Sequence, residues 1–191
     1  RQMCIRDSIN IHELGCDFFT GAIHKWLCGP KGSSFLYVKK SHQNWVKPII
    51  YSWGKNGDDP GPSEFLQDFQ WQGTRDMSSF LTIPKAIDFF LEYIQPNQAH
   101  CRKIILEAFS QFQSILGTNV ISPGSDWIGQ MVSHPLPKDT PTDLKEILWN
   151  KHKIEIPIFE WNGDFYIRSS FQVYNEKKDL DSLMSVLGSI F

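Results

Sequence analysis

The chain has 191 residues, enough for one or two domains, with 41% hydrophobic and 21% charged residues and a formal net charge of −2. Acidic and basic residues are interspersed, which argues against a binder of nucleic acid or of anionic membranes. No apolar run approaches the length of a membrane span.

The first eight residues, RQMCIRDS, carry no helical or strand period. MCIRDS is the translation of a transposon end used to prepare DNA libraries, and Arg1-Gln2 matches the last two codons of a second copy. We expect Arg1–Asp7, with Ser8, to be a non-native, disordered scar outside the fold. Of the four cysteines, Cys4 lies in this stretch, which leaves Cys16, Cys28 and Cys101. Three irregularly spaced thiols with no C-x-x-C make neither a disulfide framework nor a zinc site, and they suit a cytoplasmic protein. The six histidines are scattered, so no metal is expected.

In chain order, Cys16–Thr20 reads as a short buried strand and Ser34–Val38 as a second, β-favouring one. Gly29–Gly32 is the turn between them, and the pair suggests a small antiparallel element. Lys47–Ile50 reads as another short strand. Trp53–Glu64 is a loop rich in Gly, Pro and Asp. A helix is expected from Asp76 through Ile94, with Pro84 near its first turns or between two helical pieces. Gln98–Leu116 carries an apolar stripe of Ile104, Ile105, Ala108, Phe109, Phe112, Ile115 and Leu116, and Gly117 stops it. Trp127–His134 reads as a strand. Thr140 looks like an N-cap with Pro141 at the first helical position, opening a helix to about His152. IEIPIFEW and DFYIRSSFQV flank Asn162-Gly163, a hairpin signal. Asn175 is expected to cap a final helix with Leu180, Leu183, Met184 and Leu187 on one face.

The chemistry-bearing stretch is TGAIHKWLCGPKG, Thr20 to Gly32. It sets Lys25 at the edge of an apolar segment, just before a tight turn. A solvated surface lysine needs no such setting; a lysine that makes a covalent bond does.

DFFTGAIHKWLCGPKGSSFLYV resembles the lysine segment of the class V aminotransferase-fold enzymes that use pyridoxal 5'-phosphate (PLP), in particular the isopenicillin N epimerase-like and cysteine desulfhydrase-like members. FQWQGTRDMSSFLTIPKAIDF is similar to their W-x-G-T-R-D stretch, and IEIPIFEWNGDFYIRSSFQVYNEKKDLDSLMSVL to their closing hairpin and helix. The three segments are collinear and span essentially all of Ile9–Phe191. The resemblance implies an α/β PLP-dependent transferase fold (fold type I, aspartate aminotransferase-like). Residues 9–95 would be the C-terminal part of the large PLP-binding domain with a linking helix, and residues 96–191 a small C-terminal α+β domain. The family's upstream D-x-A-H stretch, whose Asp partners the pyridine nitrogen, is not in the sequence. The resemblance therefore implies a fragment, inactive by itself, of an enzyme acting on an amino acid.

By the same resemblance, Lys25 is the catalytic lysine that bonds to the PLP aldehyde. His24 and, more weakly, Thr20 are donors to the cofactor phosphate. Gly73 and Thr74 resemble the pair that reaches the phosphate of the neighbouring subunit's cofactor, which implies a homodimer. Arg75 either adds charge there or pairs with Asp76. Arg168 resembles the arginine that holds the substrate carboxylate, because a planar fork matches two carboxylate oxygens. By the period of two, Tyr166, Arg168 and Ser170 share one strand face. Gly29, Pro30, Gly32, Trp26, Tyr174 and Asn175 read as structural, and Cys28 as a small buried residue. No cysteine lies between Lys153 and Arg168, which argues against a persulfide-forming desulfurase. Epimerisation, C–S lysis and transamination remain open, beside a non-catalytic homologue acting as a partner or scaffold.

Overall fold

Phe18–Ala22 (β1) and Ser34–Val38 (β2) pair antiparallel with Thr20 opposite Leu36 and Gly21 opposite Phe35. A Cβ on Gly21 would stand 2.6 Å from the Phe35 ring, so this close approach requires glycine. A computed structural model describes residues 9–57 and 63–191, and the expected scar at Arg1–Ser8 lies outside the described residues. The chain divides into two compact units, one ending at Phe90 and the other spanning Leu91–Phe191.

In the first unit, a single helical turn, Ile11–Leu14 (α1), precedes β1. Asn10 caps it through the His12 and Glu13 N–H groups, and left-handed Gly15 ends it. The strand expected at Lys47–Ile50 is not formed. Pro48 has no N–H to give a ladder, and Lys47 instead donates to Glu64 at 2.8 Å and Asp68 at 3.5 Å. Both acceptors sit on Glu64–Gln70 (α2), a helix the sequence reading did not identify, capped by the Ser63 hydroxyl at Leu66 N–H. The Asp68 carboxylate is 2% exposed and also faces Lys55 at 3.6 Å, so its buried charge is paired twice. The helix expected from Asp76 is broken in two, Ser78–Leu81 (α3) and Ile83–Phe89 (α4), with Pro84 in the first turn of α4.

The second unit opens with a π turn over Phe90–Ile94, whose first residue belongs to the first unit, and a 3-10 turn over Gln95–Asn97. Gln98–Leu116 (α5) then buries Ile104, Ile105, Ala108, Phe112 and Leu116, and Gly117 ends it at φ 62. Its sheet has the order β3-β5-β4, all antiparallel: Met131–Pro135 (β3), Asp164–Ser170 (β5) and Ile158–Trp161 (β4). β3 starts later than expected. Ser125–Trp127 is a 3-10 turn whose carbonyl at Ser125, with that of Ile128, accepts from the Arg102 guanidinium.

Leu144–His152 (α6) also starts later than Thr140. That hydroxyl donates to Pro137 O instead of capping, and Asp143 holds the N-cap position. In Lys177–Ile190 (α7) the cap is Glu176, in a capping box with Asp179. Asn175 is not the cap; its Oδ1 accepts from Gln172 N–H in the approach to the helix. Phe112, Leu148, Ile167 and Leu187 are fully buried in one core. Truncating Phe112 to Ala should cost about 3–5 kcal/mol of unfolding free energy, read from urea denaturation midpoints.

Candidate active site

The Lys25 loop is built on the end of β1. Ile23 N–H donates to Ser33 O at 3.3 Å, and Gly29 N–H returns to Ile23 O at 3.0 Å, closing the loop at its neck. Within it, Cys28 N–H donates to Lys25 O at 3.0 Å, so Lys25 opens a tight turn. His24 and Lys25 are both exposed. A Cβ on Gly29 would stand 2.4 Å from Ile23 Cγ2, which fixes glycine at the neck. Gly29→Ala is expected to cost about 1–3 kcal/mol by overpacking. Thermal melts measure the loss, and weakened PLP binding would show that the loop has moved.

Cys28 is exposed at φ 57, not buried as expected, because the turn carries its side chain outward. Partial burial of the thiol pushes its pKa up, so it is not an activated thiolate. Thr20 is also exposed, and its hydroxyl donates to Phe35 O at 2.7 Å, which commits its proton to the β1–β2 pair.

Gly73 has φ +99, a backbone conformation that favours glycine, and Thr74 beside it is exposed. Arg75 donates to Gln72 Oε1 at 2.6 Å and to Gly32 O at 3.3 Å, and its guanidinium lies 5.0 Å from the centroid of the Phe80 ring. The Gly73–Thr74 segment is thereby tied to the turn that follows Lys25. Asp76 is not the hydrogen-bond partner of Arg75. It accepts from Ser78 N–H at 2.8 Å, and this bond, aided by the nearby Arg75 charge, holds its carboxyl below the usual range.

Arg168 lies in the second unit, on β5 opposite Ser133, half-buried. Its guanidinium stands 5.8 Å from the Phe159 ring centroid, a neighbour that the sequence reading did not single out. It lines an open groove of about 490 Å³ with Lys153, Glu155, Asn175 and Asp179. On the opposite face of the sheet His134 is fully buried, its ring stacked 4.6 Å from Phe112 and tilted 5.2 Å from Phe109. Neither ring nitrogen has a hydrogen-bond partner among the described residues, and burial lowers its pKa to about 4. Among the described residues, no group of three or more His, Cys, Asp or Glu is placed to hold a metal ion.

The family model described as Aminotransferase class-V matches residues 1–183. The chain belongs to the class-V aminotransferase family. It is 26% identical over 193 residues to isopenicillin N epimerase of Amycolatopsis lactamdurans, covering 94% of this chain and 48% of that protein. It is 26% identical over 204 residues to a probable chloroplastic L-cysteine desulfhydrase of Arabidopsis thaliana, covering 95% and 41%. A solved structure of cysteine desulfurase from Thermococcus onnurineus NA1 superposes with a TM-score of 0.71 at 20% identity, over 94% of this chain and 48% of that one.

The chain thus spans about half the length of the curated relatives it matches. Its α/β fold is that of the fold type I, PLP-dependent class-V enzymes. The residues of the first unit fit such a cofactor chemically. A lysine amine suits the aldehyde, while the His24 ring, the Thr74 hydroxyl and a backbone N–H at Gly73 suit a phosphate.

Proposed function

We propose that the chain is the C-terminal part of a PLP-dependent enzyme that acts on an amino acid, with Lys25 as the site of covalent attachment. The observation that carries this reading is the closed, exposed Lys25 loop, tied through Arg75 to the Gly73–Thr74 segment, in a chain of the class-V family. PLP, when bound, supplies an electron sink that makes the Cα–H of the substrate acidic. The Lys25 amine would hold the cofactor and, as a free amine beside the substrate, would move the proton at Cα. His24 donates to the phosphate, with Thr20 a weaker contributor because its proton already goes to Phe35 O, and Thr74 with the backbone at Gly73 donates to the phosphate of the partner subunit's cofactor. Arg168 binds the α-carboxylate with its planar fork.

The reading includes a cytoplasmic homodimer in which Thr74 serves the partner's cofactor. Large apolar side chains left exposed in the first unit, Ile49 at 101%, Ile50 at 83% and Trp53 at 86%, support a surface that further protein covers. Among the described residues no helix is long and apolar enough to cross a membrane. The 191-residue chain alone is proposed to be inactive, since it spans about half of its relatives.

Epimerisation, C–S lysis and transamination share one proton event. The test is Cα–H exchange into D2O, followed by NMR across a panel of amino acids with the PLP-loaded full-length protein. Exchange of the Cα proton with at least one of them is expected. A loaded protein that exchanges none would replace the enzyme reading with the scaffold reading.

A further inference from the structure

The hairpin register sets Phe159 directly opposite Tyr166, and Arg168 lies two residues further along the same face of β5. Phe159 and Arg168 are therefore a diagonal cross-strand pair, within reach for an aromatic ring and a long side chain. The guanidinium carbon lies 5.8 Å from the Phe159 ring centroid, inside the range of a cation–π contact. The Phe159 ring is itself held. Tyr166, 5% exposed, stacks on it at 5.7 Å with planes 19° apart, and Trp161 meets Tyr166 edge-on at 5.9 Å. A guanidinium uses its edge N–H groups for a carboxylate and its flat face for a ring, so the two contacts do not compete.

We propose that Phe159 is a positioning residue for the α-carboxylate of an amino-acid substrate, acting through Arg168. The proposal rests on the carboxylate reading of Arg168 above. The row Trp161–Tyr166–Phe159 presents a fixed aromatic surface that limits the rotamers of Arg168 before substrate arrives. An aliphatic side chain at Phe159 would keep the packing and lose the ring face.

The test compares binding of L-alanine and L-alaninamide to the PLP-loaded full-length protein by calorimetry, in the wild type and in Phe159→Leu, Phe159→Tyr and Arg168→Lys variants. The wild type is expected to prefer the carboxylate. Phe159→Leu should reduce that preference by about threefold to tenfold, Phe159→Tyr should restore it, and Arg168→Lys should reduce it at least as much as Phe159→Leu. If Phe159→Leu weakens both ligands equally, or changes only the melting temperature, while Arg168→Lys loses the preference, the positioning role fails and the carboxylate arginine stands. If Arg168→Lys leaves the preference intact, or the wild type shows none, the reading of Arg168 falls and takes the role of Phe159 with it.

Discussion

Replacing Lys25 with alanine is expected to lower turnover of the full-length protein by roughly a hundredfold to ten-thousandfold, the range for loss of a positioned proton-transfer group. The loop that carries Lys25 should survive, because its closure uses backbone atoms of Ile23 and Gly29 and the Cys28 N–H, none of them in the Lys25 side chain. The variant should therefore still fold and bind PLP through the phosphate donors. Added methylamine should recover part of the Cα–H exchange, since it restores an amine where the chain has lost one. Full activity in Lys25→Ala would contradict the assigned role.

The second large effect is on stability and follows from His134. The ring is neutral in the fold, where burial lowers its pKa from 6.5 to about 4. In the unfolded chain it binds a proton near its ordinary pKa, so below that pH the unfolded state takes up more protons. Stability contributed by the neutral ring is whole above about pH 6.5 and drains away as the pH falls towards 4. The loss at the acid end is roughly 3 kcal/mol. Urea unfolding of the chain as a function of pH should show this slope, and His134→Phe should flatten it while preserving the stack on Phe112. An unchanged slope in the variant, or an NMR titration of the His134 ring near pH 6.5 in the folded chain, would count against it.

The two groups also show what a sequence makes legible. Residues Asn162-Gly163 announced the hairpin because both positions need positive φ, and they take 54° and 81°. The α5 stripe was equally plain, since a long helix repeats its period several times. Seven-residue α2 escaped because it offers fewer than two full repeats and follows a sequence stretch rich in Gly and Pro. His134 shows the reverse problem. Its place on β3 points it inward, but an imidazole in an apolar core is not what patterning leads one to expect.

The roles proposed for Lys25, His24, Thr20, Gly73, Thr74 and Arg168 come from resemblance alone; composition and period say nothing about a cofactor. The bond from Arg75 to Gly32 spans 43 residues and arises only when the chain folds. The diagonal contact of Phe159 with Arg168 depends on hairpin register, which the turn fixed but no single residue type announced.

The most direct measurement of the central claim is borohydride reduction of the PLP-loaded full-length protein, followed by digestion and peptide mass mapping. The account predicts a stable pyridoxyl group on Lys25, in the peptide that carries His24 and Trp26. A label on any other lysine, or no label in a protein that binds PLP, would contradict it.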